Sequence, residues 1–84
     1  MDDLLRSKFK IAINDKLKEA DNKAKNGDIK SAAGLYKNAA NLMIKFADNF
    51  ANTRDTEDYW KKKAVKVIEK AKALIDGKYV PASN

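Results

Sequence analysis

The chain has 84 residues, with 18 basic against 12 acidic side chains and a net charge of +6. That length supports one small core, and the absence of cysteine and histidine removes disulfides, thiolate metal ligands and the commonest general base. No uncharged run approaches the roughly 20 apolar residues of a membrane span. Met1-Asp2-Asp3 begins an acidic segment without the apolar stretch of a secretory signal, so the chain reads as one cytoplasmic domain.

The first predicted helix runs from about Asp3 to Lys25. Leu5, Phe9, Ala12, Ile13, Leu17, Ala20 and Ala24 recur at steps of three and four, the spacing of one helical face, with Leu4 and Ile11 beside them. Asp2 and Asp3 complement the N-terminal end of the helix dipole, and Lys23 and Lys25 the C-terminal end. Asn26-Gly27 is a stop signal, because glycine accepts the left-handed conformation that closes a helix.

Asp28 is placed to cap the second helix, predicted from Ile29 to about Phe50. Its stripe is Ile29, Ala32, Ala33, Tyr36, Ala39, Ala40, Met43, Phe46, Ala47 and Phe50, with Leu35 and Leu42 on a second line. A helix apolar on more than one side touches two neighbours, so this is the middle helix. The alanines around Tyr36 predict close helix approach. Asn52, Thr53 and Asp55 mark the next turn, with Asp55 or Thr56 as the expected N-cap and Glu57 and Asp58 in the first turn.

The third helix carries Trp60, Ala64, Val67, Ile68, Ala71, Leu74 and Ile75, with Tyr59 and Val65 at its edges, and Gly77 ends it. Short connections make successive helices antiparallel. The expected fold is therefore all-α, an up-down-up three-helix bundle over residues 1–77. Residues 78–84, with Pro81, read as a tail or the start of a linker. Tyr36 and Trp60 are expected in the core, each with a polar partner that the sequence does not name.

No catalytic constellation emerges. Asp15 and Glu19 share one helix face, but no histidine, cysteine or glycine-rich phosphate cradle accompanies them, and solvated ion pairs explain them. Asp2 with Asp3, and Glu57 with Asp58, are explained by the helix dipole without a metal. Neither enzymatic activity nor a cofactor, metal or small-molecule substrate is expected. The positive charge is mostly lysine, since only Arg6 and Arg54 can make bidentate phosphate or guanine contacts. That favours diffuse attraction over sequence reading.

The run from Gly27 through Asp28-Ile29-Lys30-Ser31-Ala32-Ala33-Gly34-Leu35-Tyr36-Lys37-Asn38-Ala39 resembles the first junction of microtubule-interacting and trafficking (MIT) domains. Ile68-Glu69-Lys70-Ala71-Lys72-Ala73-Leu74 is similar to the closing pattern of that family. A tetratricopeptide repeat shares the junction, but it is about 34 residues long with shorter helices, and no second copy occurs here. The resemblance implies a three-helix module that recruits its host, an AAA ATPase, to short C-terminal peptides of ESCRT-III-like subunits. It implies a monomer that meets membranes only indirectly.

It also implies peptide-binding residues. Leu17 would face the groove between the first and third helices, while Val65, Ile68, Glu69, Ala71 and Lys72 would line the groove between the second and third. Ala71 would leave room for a ligand side chain, and Glu69 would meet a basic ligand residue. Packing alone explains Ile68 and Leu17 as core, and Glu69 as an ion pair with Lys66 or Lys72. Ala24 and Lys72 stand where the family often has acids, which implies a less basic ligand. A basic adaptor for acidic protein tails is the alternative, as in microtubule-binding relatives, with nucleic acid a weaker one. Steep salt dependence would mark either.

Overall fold

Three helices form where the stripes predict them: α1 over Asp2–Lys25, α2 over Ile29–Phe50 and α3 over Arg54–Ile75. These come from a computed structural model that describes residues 2–78; Pro81 and most of the expected tail lie outside the described residues. Among the described residues there is no strand, and α2 runs unbroken through Ala39 and Met43. The bundle is about 39 Å long, close to the length of α1 at the usual rise of about 1.5 Å per residue.

The caps explain the boundaries. Gly27 has φ +84° and Gly77 φ +73°, the left-handed conformation that an L side chain resists. Asp28 accepts a bond from the Ser31 amide at 3.4 Å and so satisfies an orphan donor of α2. At α3 the cap is Thr53, not the expected Asp55 or Thr56. The Thr53 hydroxyl accepts from the Thr56 amide at 3.1 Å while its backbone is extended. Asp55 thus falls inside the first turn, where its charge faces the positive end of the dipole.

α2 is the helix against which both others pack, and the backbones of α1 and α3 approach each other little. Its alanines are the reason. Ala33, Ala40 and Ala47 recur every seven residues and are buried, as are Ala64 and Ala71 of α3. Ala33 shares a cluster with Ala71, and Ala40 shares another with Ala64, the pairing that an antiparallel register requires. Methyl-sized side chains let the helices close to short range.

The core has two layers. One surrounds Tyr36 with Ala20, Ala24, Ala32, Ala33, Ala71 and Leu74. The other gathers Ile13, Ala40, Met43, Phe46 and Ala64, with Phe9, Phe50 and Trp60 packed against it. Leu17 and Val67 touch both. Ala32 and Ala39 are fully buried, as expected. Ala32→Leu is therefore expected to overpack the Tyr36 layer and cost about 1–3 kcal/mol; an unchanged melting temperature would refute that.

Three expectations of burial are corrected. Trp60 is only half-buried, because it lies on the side where α1 and α3 stand apart. Leu5 and Ile75 are at least half exposed, one at the start of α1 and the other the last residue of α3, where neighbouring helices no longer cover them.

The polar partner of Tyr36 is Asp21. The tyrosine hydroxyl donates to the Asp21 carboxylate of α1, and the Lys70 ammonium of α3 stands 3.6 Å from that carboxylate and 5.0 Å from the centre of the Tyr36 ring. One aromatic side chain thus joins all three helices. At the other end, Arg6 of α1 donates to the Phe50 carbonyl at 3.4 Å and lies over the Phe50 ring. α2 has no basic residue in its last turn, so Arg6 supplies the charge that its C-terminus lacks.

Candidate docking surfaces on the third helix

α3 separates its exposed side chains onto two seams. Toward α2, Lys61, Val65, Ile68 and Lys72 follow at steps of four, three and four, so they form one line along the helix. The salt bridge from Lys61 to Asp48 of α2, at 3.5 Å, fixes that line on the α2 side. Lys61 also donates to Glu57 at 2.6 Å. That hydrogen bond holds the Glu57 carboxyl below its ordinary pKa and raises that of Lys61.

Val65 is 53% exposed, a β-branched apolar side chain turned to water. Ile68 is half-buried and packs against the Met43 and Phe46 layer, as does Ile44 of α2. Glu69 and Lys72 are exposed. Asp58, Lys61, Lys62, Val65, Lys66 and Glu69 border a shallow concavity of about 420 Å³ with charges of both signs. All six belong to α3, so the concavity lies on the outer surface of that helix and not between α2 and α3.

The other expected site residues divide differently. Ala71 is fully buried among Ala33, Tyr36 and Leu74, so it presents no surface to a ligand and acts as a spacer between helices. Leu17 is half-buried and borders a cleft of about 220 Å³ between α1 and α3, with Lys10, Ile13, Asn14, Trp60 and Lys63. Val65, Ile68, Glu69 and Lys72 therefore lie along one face of α3, while Leu17 belongs to the opposite seam.

Sequence reading passed over the aromatic and basic surface at the start of α3. Tyr59 is 58% exposed and meets Trp60 edge-on at 5.5 Å. The Lys63 ammonium lies within 6 Å of both ring centres. The signal was present in Tyr59-Trp60-Lys61-Lys62-Lys63, but Trp60 read as core and hid its neighbours. No helix among the described residues is long and apolar enough to cross a membrane. No protein-family model, curated protein or solved structure matches this chain.

Proposed function

We propose that this chain is a protein-interaction module of the MIT kind, without catalysis of its own. It recruits an AAA ATPase host in the cytoplasm to short C-terminal motifs of ESCRT-III-like subunits. The observation that carries the reading is the exposed Val65 next to half-buried Ile68 on the α2–α3 seam. An amphipathic peptide laid along α3 would cover Val65 and extend the apolar surface begun by Ile68 and Ile44. Lys72 on the same line suits an acidic ligand position, and Glu69 a basic one. The three-helix order and the Gly27-Asp28 junction agree with the resemblance.

Labelled C-terminal peptides of ESCRT-III-like subunits, titrated into the 84-residue chain, test it. Ile68→Asp and Val65→Asp are expected to weaken binding by about tenfold or more, since anchors at the centre of a contact carry most of its energy. Val65 is exposed, so its substitution leaves the core intact and separates lost docking from lost folding. Leu17→Asp reports on the other seam, with helicity by circular dichroism as the control because Leu17 touches both core layers. Wild-type affinity in folded Ile68→Asp and Val65→Asp variants would defeat the assignment.

A further inference from the structure

Arg6 of α1 has donors to spare. It makes one long hydrogen bond, to the Phe50 carbonyl at 3.4 Å, and its Nε is buried with no partner among the described residues. A guanidinium offers five donors, and a buried N–H left unmade costs free energy, so an acceptor is favoured there. Arg6 borders a cleft of about 260 Å³ with Lys10 of α1, Asn52 of the turn, and Thr56 and Trp60 of α3. Two rings hold the cations in place: Lys10 Nζ lies 5.8 Å from the centre of Phe46, and Arg6 Cζ 5.9 Å from that of Phe50.

We infer that Thr56 is a phosphorylation site whose phosphoryl group docks on Arg6 and Lys10. The Thr56 side chain is exposed, and Glu57 and Asp58 follow it directly, a setting suited to kinases that select acids after their target. Thr56 is the third residue of α3 after the Thr53 cap, where the helix dipole favours negative charge. In the transfer, Thr56 Oγ1 attacks the γ-phosphorus of a nucleoside triphosphate held by the kinase. The new O–P bond forms as the bond to the β–γ bridging oxygen breaks, nucleoside diphosphate leaves, and the hydroxyl proton passes to a carboxylate base of the kinase. The product carries nearly two negative charges and three acceptor oxygens, which suit the planar fork of Arg6. It would tie α1 to α3 at the end of the bundle opposite the Asp21–Lys70 pair.

Three acids adjoin Thr56 in sequence, and none of them borders the cleft. Glu57 pairs with Lys61, and Asp58 lies on the outer surface of α3 beside Lys61 and Lys62. Asp55 is exposed, one residue back and so about 100° round the helix. Repulsion from these exposed acids is screened by solvent and salt, whereas Arg6 and Lys10 share the cleft with Thr56. Thr53 is the poorer target, because its hydroxyl accepts from the Thr56 amide as the cap. This inference does not rest on the α2–α3 seam, since Val65 and Ile68 do not border the cleft.

The test uses the 84-residue chain with phosphothreonine installed at position 56 by ligation of synthetic segments. Its melting temperature is expected to rise by about 4 °C or more over the unmodified chain. By ³¹P NMR titration, its second phosphate pKa is expected to fall below the ordinary value of about 6, because Arg6 and Lys10 favour the dianion. Both effects are expected to vanish in Arg6→Gln with Lys10→Gln, each form being compared with its own unphosphorylated counterpart so that any background loss of stability cancels. An acid-directed serine/threonine kinase with nucleoside triphosphate is expected to add one phosphoryl group to the unmodified chain and none to Thr56→Ala. A phosphorylated chain no more stable than the unmodified one would overturn the proposal, as would an unshifted phosphate pKa or effects that persist in the double variant. So would a kinase reaction that leaves the chain unlabelled or labels Thr56→Ala equally.

Discussion

Tyr36→Ala is expected to destabilise the protein by about 3–5 kcal/mol, the range for removing a large buried aromatic side chain. Tyr36 is fully buried, and its surroundings are mostly alanine: Ala20, Ala24, Ala32, Ala33 and Ala71. Methyl groups cannot reach across the vacated space, so the cavity would remain open. The substitution also removes the hydroxyl held by Asp21 and the ring beneath Lys70, which together link α1, α2 and α3. For a domain of this size each kcal/mol corresponds to about 4–8 °C in melting temperature, so thermal denaturation reads the effect directly. Tyr36→Phe separates the two contributions. It keeps the ring and loses only the hydrogen bond, with an expected cost of about 0.5–1.5 kcal/mol. A Phe variant as unstable as the Ala variant would show that the polar contact dominates, against this account.

Met43→Ala is expected to cost about 2–5 kcal/mol in chemical denaturation. Met43 is fully buried in the second layer, beside Ile13, Ala40, Phe46 and Ala64. Its flexible thioether fills the space between the aromatic cluster and the alanines, a role suited to an unbranched side chain. Met43→Leu keeps most of the volume and is expected to cost less than about 1.5 kcal/mol. Equal losses for Ala and Leu would mean that shape rather than volume governs this layer. Tyr36 and Met43 lie in separate clusters on one helix, so their effects should be close to additive, with shared contacts through Leu17 and Val67 the source of any coupling.

The alanine-rich contacts that give this stability also shape the surface. Close packing of α2 on α3 leaves little room between them, and Val65 stays exposed on α3. α1 and α3 stand further apart, and their seam opens into clefts floored by Ile13, Leu17 and Trp60. The charged side chains bordering the cleft between α1 and α3 are Lys10 and Lys63, whereas the outer surface of α3 carries charges of both signs.

Much of the fold follows from local order along the chain. Apolar residues at steps of three and four, glycine at two left-handed positions and Asp28 before Ile29 are each decided within a few residues of themselves. The three helices, their ends to within three residues and the middle position of α2 were therefore legible. Ala32, Ala39 and Tyr36 were legible as core because a stripe on the central helix has a neighbour on both sides.

What depended on the distance between helices was not legible. The same periodicity that places Trp60, Leu5 and Ile75 on an inner face cannot say whether another helix covers them there. The geometry leaves Trp60 half open and the other two largely exposed. Ala71 and Val65 show the same limit from the binding side: a family pattern assigns both to a groove, but close α2–α3 packing buries the first and leaves the second on the rim. Asp21 reaches Tyr36 across 15 residues of chain and two helices, a contact that no local spacing encodes. The choice of Thr53 over Asp55 as cap rested on backbone angles in the turn, which sequence types permit at either position. Helix positions are local and readable, whereas burial, polar pairing and the charge of a cleft are set by the tertiary arrangement that brings distant side chains together.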